Sequence, residues 1–256
     1  MPPAAMSPRS IDRIVLCYPV KPRHVAAIRA AAPQAEVIDA GQERVAAELP
    51  AADVYCGHAK VPVPWSEIVA GKRLRWIQSS AAGLDHCLVP PVIESDITVT
   101  SASGVLADQV AEHAVGLAIA CTRRLPLFLD QQRRKEFVRR PTRDLTGATV
   151  GIVGLGGVGR RLAEVLAPFR VRILATDWFP ENKPAHVDFL GSPESLPQVL
   201  AAAEVLFLCV PLTPHTQGMI DAAALTAMKP GSMLVNMARG KLVDEQALAA
   251  ALESGH

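Results

Sequence analysis

Apolar positions follow two periods along this chain. Short runs rich in Val, Ile and Leu alternate with stretches whose apolar residues recur every three to four positions, the signatures of buried strands and amphipathic helices. In the first hundred residues the runs predict strands over 14–20, 36–40, 54–59, 74–81 and 97–102. Helices are expected between them over 22–32, 42–49 and 65–70 and near 85–94. Residues 103–125 read as one long helix, with Val110, Ala114, Leu117 and Cys121 on a shared face. The alternation then resumes. Strands are expected over 149–153, 171–175, 205–210 and 232–237, with a short run over 186–190, and helices from Val158 onward, from Ser192 to about Ala203, and over 222–228. A last helix over 245–254 takes Asp244 as its cap and Gly255 as its stop. Strict β/α alternation implies parallel sheets covered on both faces. The expected class is α/β, in two domains, 1–104 and 105–256.

One stretch carries a recognisable chemistry. ATVGIVGLGGVGRRLAEVLAPFRVRILATD (148–177) runs from an apolar strand through Gly154, Gly156 and Gly159 into a helix with Val158, Leu162, Val165 and Leu166 on one face. A second apolar run then ends at Asp177. The first glycine permits a tight turn, the second lets backbone approach a pyrophosphate, and the third lets the helix sit close to the sheet. The helix start offers free N–H groups and a partial positive charge to the phosphates. Asp177 stands where a carboxylate accepts ribose hydroxyls, and it would repel a 2′-phosphate, so the motif indicates NAD over NADP.

Composition narrows the setting. The chain has 256 residues, half of them hydrophobic, and a net charge of +1. That is room for two ordinary domains, with no general attraction to nucleic acid or anionic membrane. Five scattered cysteines form no C-x-x-C pair, which argues against a zinc site or a disulfide framework and fits a reducing compartment. The opening MPPAAMSPRS holds no apolar core of a signal peptide, and no run reaches membrane-spanning length, so the cytoplasm is the expected location.

Other features are weighed against plainer explanations. SSAAGLDH (79–86) is a small-residue loop at a strand end, either a flexible turn or an anion cradle made by backbone N–H groups. Glu112 and His113 read as helix residues with structural partners. Residues 123–143 carry eight Arg or Lys against two acids, with Phe137 among them, and read as a solvated arm. PLTPHTQG (211–218) is expected to line the nicotinamide side of the cofactor.

Together these segments resemble the D-2-hydroxyacid dehydrogenases. The resemblance rests on SSAAGLDH, VAEHAVGLAIACTRRLP, LTGATVGIVGLGGVG, PLTPHTQGMI and KPGSMLVNMARGKLVDEQALAAAL. It implies a flavodoxin-like substrate domain with a Rossmann NAD-binding domain, homodimer pairing through the Rossmann domain and the long helix, and hydride transfer between NAD(H) and C2 of a small 2-hydroxy or 2-oxo acid of the glyoxylate, hydroxypyruvate or pyruvate kind. Arg239 matches the catalytic arginine that binds the substrate carboxylate. Ala82 and Gly83 match the loop whose N–H groups hold that carboxylate. Gly154, Leu155, Gly156, Gly157, Val158 and Gly159 match the pyrophosphate loop, and Asp177 matches the ribose acid. Val210, Pro211, Thr216 and Ala238 match further cofactor contacts.

The family pattern continues with a last Rossmann strand, a Glu in E-P, a His in T-P-H and a returning helix, all of which would fall beyond His256. Thr213-Pro214-His215 spells T-P-H in the wrong place, in the loop after the 205–210 run, and is not expected to supply the acid/base. The chain is therefore read as C-terminally incomplete, with no more than trace reductase activity expected of it alone. Two competing readings are a non-catalytic NAD-binding dimeric module and a different NAD enzyme on this scaffold, such as a formate or phosphonate dehydrogenase.

Overall fold

The computed structural model describes residues 10–256; the stretch read for a leader lies, through residue 9, outside the described residues. The chain divides into two compact units, Met1–Ser103 and Gly104–His256.

The first unit alternates β1 (Arg13–Cys17), α1 (Pro22–Ala31), β2 (Glu36–Asp39), α2 (Gly41–Glu48), β3 (Val54–Gly57), α3 (Trp65–Ala70), β4 (Trp76–Ser79), α4 (Pro90–Ile93) and β5 (Thr98–Thr100). Its strands are all parallel, in the order β2-β1-β3-β4-β5. Side-chain alternation sorts the apolar residues onto two faces. Val15, Cys17, Tyr55 and Ile77 pack with Val45, Trp65 and Ile68 of the helices, while Ile14, Leu16 and Val54 meet Val25 and Ile28 of α1. The helix expected near 85–94 is a single turn, α4, preceded by a hydrogen-bonded turn at 85–87. Pro90 and Pro91 lack the N–H groups that would bond it to the preceding turn.

The second unit opens with α5 (Ala107–Thr122) and α6 (Leu125–Arg133). The helix expected over 103–125 spans 107–122: Arg124 takes φ +52, and Pro126, in the first turn of α6, has no N–H to carry the hydrogen-bond ladder of α5 onward. The buried stripe of α5 is Ala111, Ala114, Val115, Ala118 and Thr122, whereas Leu117 and Cys121 of the expected face are exposed. Small residues form the stripe because α5 packs directly on the helix Gly157–Leu166 of this unit. The basic stretch after α6 forms neither helix nor strand and is largely exposed, Phe137 included.

There follow β6 (Thr149–Val153), α7 (Gly157–Leu166), β7 (Arg172–Thr176), β8 (Phe189–Gly191), α8 (Leu196–Ala202), β9 (Val205–Leu208), α9 (Ala222–Ala227), β10 (Met233–Asn236) and α10 (Glu245–Ser254). The helix expected from Ser192 begins as a 3-10 turn, Pro193–Ser195, before α8. All strands are parallel, in the order β10-β9-β6-β7-β8. Val150, Ile152, Ile173 and Phe207 face α5 and α7; Val153, Leu174, Leu206 and Leu208 face α8, α9 and the Leu242–Val243 segment. Burial on both faces explains why these strands read as continuous apolar runs. Asp244 caps α10 by accepting from the N–H groups of Gln246 and Ala247, and Gly255 ends it at φ +76. No helix among the described residues is long and apolar enough to cross a membrane.

A buried carboxylate secures the amino edge of the first sheet. Asp53, fully buried, accepts at Oδ2 from the N–H groups of Asp12 (3.0 Å) and Arg13 (2.9 Å) and from Arg73 (3.5 Å). Replacing it strands those donors inside the protein, so Asp53→Ala is expected to cost about 2–4 kcal/mol in urea unfolding. A shift below about 0.5 kcal/mol would contradict this role.

Candidate functional site

The site in the second unit is built at the carboxyl end of β6, where the strand order reverses direction and an open parallel sheet leaves a crevice. Gly154 leaves the strand at φ +94, with no room for a side chain: a Cβ would come within 2.8 Å of Val210. Gly159, in the first turn of α7, is held tighter still, since a Cβ there would lie 2.1 Å from the Gly154 carbonyl oxygen. Gly156, the cap of α7, differs from both: its Cβ position meets nothing within 4 Å. Two glycines thus close the turn and the middle one leaves backbone open at a helix N-terminus. That is the arrangement an anionic diphosphate needs.

Asp177 follows β7 and is half-buried on the same rim. Its Oδ2 accepts from the Leu155 N–H (2.6 Å) and its Oδ1 from the Phe179 N–H (2.9 Å), so the carboxylate ties the glycine turn to the loop beyond β7. Arg160 of α7 fastens the far side of that loop, donating to the carbonyls of Asn182 (2.9 Å) and Glu181 (3.3 Å). Leu155 itself points into the core and contributes only its N–H.

A cleft of about 470 Å³ opens between these parts, within the range that holds a small ligand. Gly154, Gly156, Asp177, Val210, Pro211 and Thr216 all line it, which brings together six of the residues picked out from sequence. Thr216 staples its own loop: its hydroxyl accepts from the Thr213 N–H (2.8 Å) and donates to the Pro211 carbonyl (2.6 Å). Burial pushes the Cys209 thiol, also on the wall, up to about 12, so it stands there neutral. Gly157 and Val158 form the first turn of α7 and do not line the cleft.

The sequence reading missed much of the outer wall. Trp178 and Phe179 are exposed aromatics immediately after Asp177, and Trp178 lies against His215 with ring centroids 5.6 Å apart. The 211–218 loop therefore reaches the Asp177 end of the cleft, beyond the nicotinamide side for which it was expected. His215 is engaged with an indole ring. Two large aromatics following a strand-end acid were the available signal.

Ala238 and Arg239 lie outside this cleft, past the end of β10 and two strands over from β6. Asn236, also missed, orders their turn. Its side chain accepts from the Ala238 N–H (3.0 Å) and donates to the Arg239 carbonyl (2.9 Å), as asparagines in tight turns do. Arg239 in turn donates to the Ala238 carbonyl (3.0 Å).

Ala82 and Gly83 belong to the first unit, in the bend after β4. That bend is pinned by Ser79, whose fully buried hydroxyl accepts from the Ala81 N–H (3.0 Å). Beside it His58 and His86 stack, with centroids 4.0 Å apart. Burial first, and then His58, holds His86 below the usual imidazole value, so its ring is neutral at pH 7.

Residues 115–256 match the model of the D-isomer specific 2-hydroxyacid dehydrogenase NAD binding domain. The chain belongs to that family. It is 34% identical over 219 residues to D-3-phosphoglycerate dehydrogenase of Mycobacterium tuberculosis, covering 84% of this chain and 41% of the relative. It is 30% identical over 209 residues to hydroxypyruvate reductase of Thermotoga maritima, covering 81% and 67%. The chain thus spans about two fifths of the length of the first of these relatives. Among solved structures, a D-isomer specific 2-hydroxyacid dehydrogenase family protein from Aeromonas salmonicida superposes with a TM-score of 0.80 at 25% identity, over 96% of this chain and 79% of that one. The NAD-dependent formate dehydrogenase from Staphylococcus aureus, in complex with NAD, gives 0.76 at 26% identity, over 95% and 78%.

The two kinds of glycine are separable by experiment. Gly159→Ala must displace α7 from β6 and is expected to destabilise the protein by about 1–3 kcal/mol. Gly156→Ala should cost no more than about 1 kcal/mol as a poorer cap, yet weaken NADH binding. Unfolding curves and NADH titrations on both variants check this; equal stability losses would contradict the packing described.

Proposed function

We propose that this protein transfers hydride between NAD(H) and C2 of a short 2-oxo or 2-hydroxy acid, of the glyoxylate, hydroxypyruvate or pyruvate kind. The observation that carries the reading is the cleft at the end of β6, where bare backbone at Gly156 and the Asp177 carboxylate share one rim. Family membership and the names of the relatives support the choice of reaction.

The residues divide the work. The 154–159 turn holds the diphosphate at the start of α7, and Asp177 takes the adenosine ribose hydroxyls on acceptor sites its backbone bonds leave over. Trp178, with His215 tilted against it, offers an aromatic wall to the adenine, where stacking on the indole gives affinity. The bound nicotinamide supplies or accepts the hydride. Arg239 stays protonated throughout, so it can bind a carboxylate and polarise the C2 oxygen but cannot accept the hydroxyl proton. The N–H groups of Ala82 and Gly83 hold the substrate carboxylate. His215, laid against Trp178, serves the cofactor and not proton transfer.

The same reading includes a homodimer that works in the cytoplasm. Val105, Leu106 and Leu117 are exposed apolar residues near and on α5, the kind of surface that pairing covers. Five free cysteines fit a reducing compartment.

Asp177→Ala is expected to weaken NADH binding about tenfold or more and to narrow the preference over NADPH. Unchanged selectivity in parallel titrations would remove the ribose role. In the full-length protein, Arg239→Ala should raise KM and lower kcat for 2-oxo acids, measured as loss of NADH absorbance. Wild-type kinetics in that variant would take Arg239 out of the site, and no 2-oxo acid-dependent oxidation at all would sink the proposed reaction.

A further inference from the structure

One arginine near the cofactor cleft is aimed at uncharged partners. Arg160 is the fourth residue of α7, and its N–H donates to the Gly156 carbonyl (2.9 Å). A positive side chain this near a helix N-terminus opposes the helix dipole, so the helix itself gains nothing from it. Its neighbour Arg161 is answered by two acids, Asp108 and Glu164. Arg160 instead directs its guanidinium at two carbonyls, those of Asn182 (2.9 Å) and Glu181 (3.3 Å), in the loop between β7 and β8.

Those carbonyls lie at one end of a hydrogen-bonded chain that leads back to the site. The Glu181 N–H donates to the Phe179 carbonyl (2.7 Å), and the Phe179 N–H donates to Asp177 Oδ1 (2.9 Å). Asn182 takes φ +54, a conformation that asparagine tolerates, at the point where the loop meets Arg160. The loop is thus held twice by the glycine turn and its helix. Asp177 bonds the Leu155 N–H at the start, and Arg160 grips the backbone at 181–182. Between these anchors stand Trp178 and Phe179, which line the cleft yet are 62% and 73% exposed. Beyond the tilted contact of Trp178 with His215, rings so exposed have little packing to fix them. Their position is therefore set by the backbone that carries them. A binding surface held in place before the ligand arrives lowers the ordering cost of binding. Arg160 itself does not line the cleft.

We propose that Arg160 is a positioning residue for the adenosine half of the cofactor: by gripping the 181–182 backbone it holds Trp178 as a preformed wall and so raises affinity for ligands that carry adenine. This rests on the cofactor cleft of the function proposed above and adds to it a residue that acts without touching the ligand.

Reduced nicotinamide mononucleotide lacks the adenosine half, whereas NADH and ADP-ribose carry it, so the three ligands separate the wall from the rest of the cleft. Arg160→Met keeps the apolar stem and removes both donors; Arg160→Lys keeps a donor. In equilibrium titrations Arg160→Met is expected to bind NADH and ADP-ribose about fivefold more weakly, with the mononucleotide changed by less than about twofold, and Arg160→Lys to recover part of the loss. Trp178→Ala should lose affinity for the same two ligands. Adding Arg160→Met to it should weaken them little further, because the arginine acts through that ring. Fluorotryptophan labelling reads the position directly: the fluorine NMR signal that Trp178→Phe removes is expected to move in ligand-free Arg160→Met, and those of Trp65 and Trp76 to stay. Thermal unfolding shows which variants are folded, and Arg160→Lys carries the same comparison if Arg160→Met is not. Unchanged affinity for NADH and ADP-ribose, an equal loss for the mononucleotide, or full additivity with Trp178→Ala would overturn the inference and leave the dehydrogenase reading intact. If the wild-type protein bound neither NADH nor ADP-ribose, that reading would fall as well.

Discussion

The approach of Gly159 to the Gly154 carbonyl is the constraint on which the second unit depends. No side chain larger than hydrogen fits between the first turn of α7 and the end of β6. Seated this closely, the helix start lies directly over the strand end, and its unpaired N–H groups face the crevice instead of the core. The remaining features of the site follow from that seating. Leu155 can send its N–H to Asp177 only because the turn is so tight, and Asp177 in turn positions Phe179 and the aromatic wall. Thus a steric fact about two glycines fixes an electrostatic one about a carboxylate.

Both sheets obey the same rule with different chemistry. Each is parallel, each is buried on its faces, and each presents its functional groups where strands end and side chains are no longer needed for packing. In the second unit that edge offers bare backbone, one carboxylate and apolar rings, a combination suited to a dinucleotide. In the first it offers a small-residue bend pinned by a buried serine, with two stacked imidazoles beside it. The burial that keeps His86 neutral also leaves it able to donate or accept a hydrogen bond without the cost of a buried charge.

Much of this was legible in the sequence because strand, turn and helix carry local signals. Continuous Val and Ile runs located nearly every strand, and the spacing of Gly154, Gly156 and Gly159 located the turn. What the sequence hid depended on contacts far apart in the chain. The end of α5 before Arg124 was masked by an unbroken apolar pattern, although Pro126 was there to be read. The buried face of α5 was misplaced because Ala is a weak periodic signal, and it is the approach of α7 that selects which alanines are covered. Trp178, His215, His58 and His86 could not be paired from spacing alone, since each pair joins loops that follow different strands. Asn236 was invisible for another reason: its work is a side-chain bond to its own turn, which no apolar periodicity reports.

The claim at the centre of this account is that the crevice at the end of β6 holds one dinucleotide per chain, with its diphosphate over Gly156. The most direct measurement is an equilibrium titration of the folded protein with NADH, followed by nicotinamide fluorescence and competed with ADP-ribose. The account predicts saturable binding at one NADH per chain, displaced fully by ADP-ribose, which carries the diphosphate and both sugars but no nicotinamide. Failure of NADH to bind to folded protein, or binding that ADP-ribose leaves untouched, would contradict it.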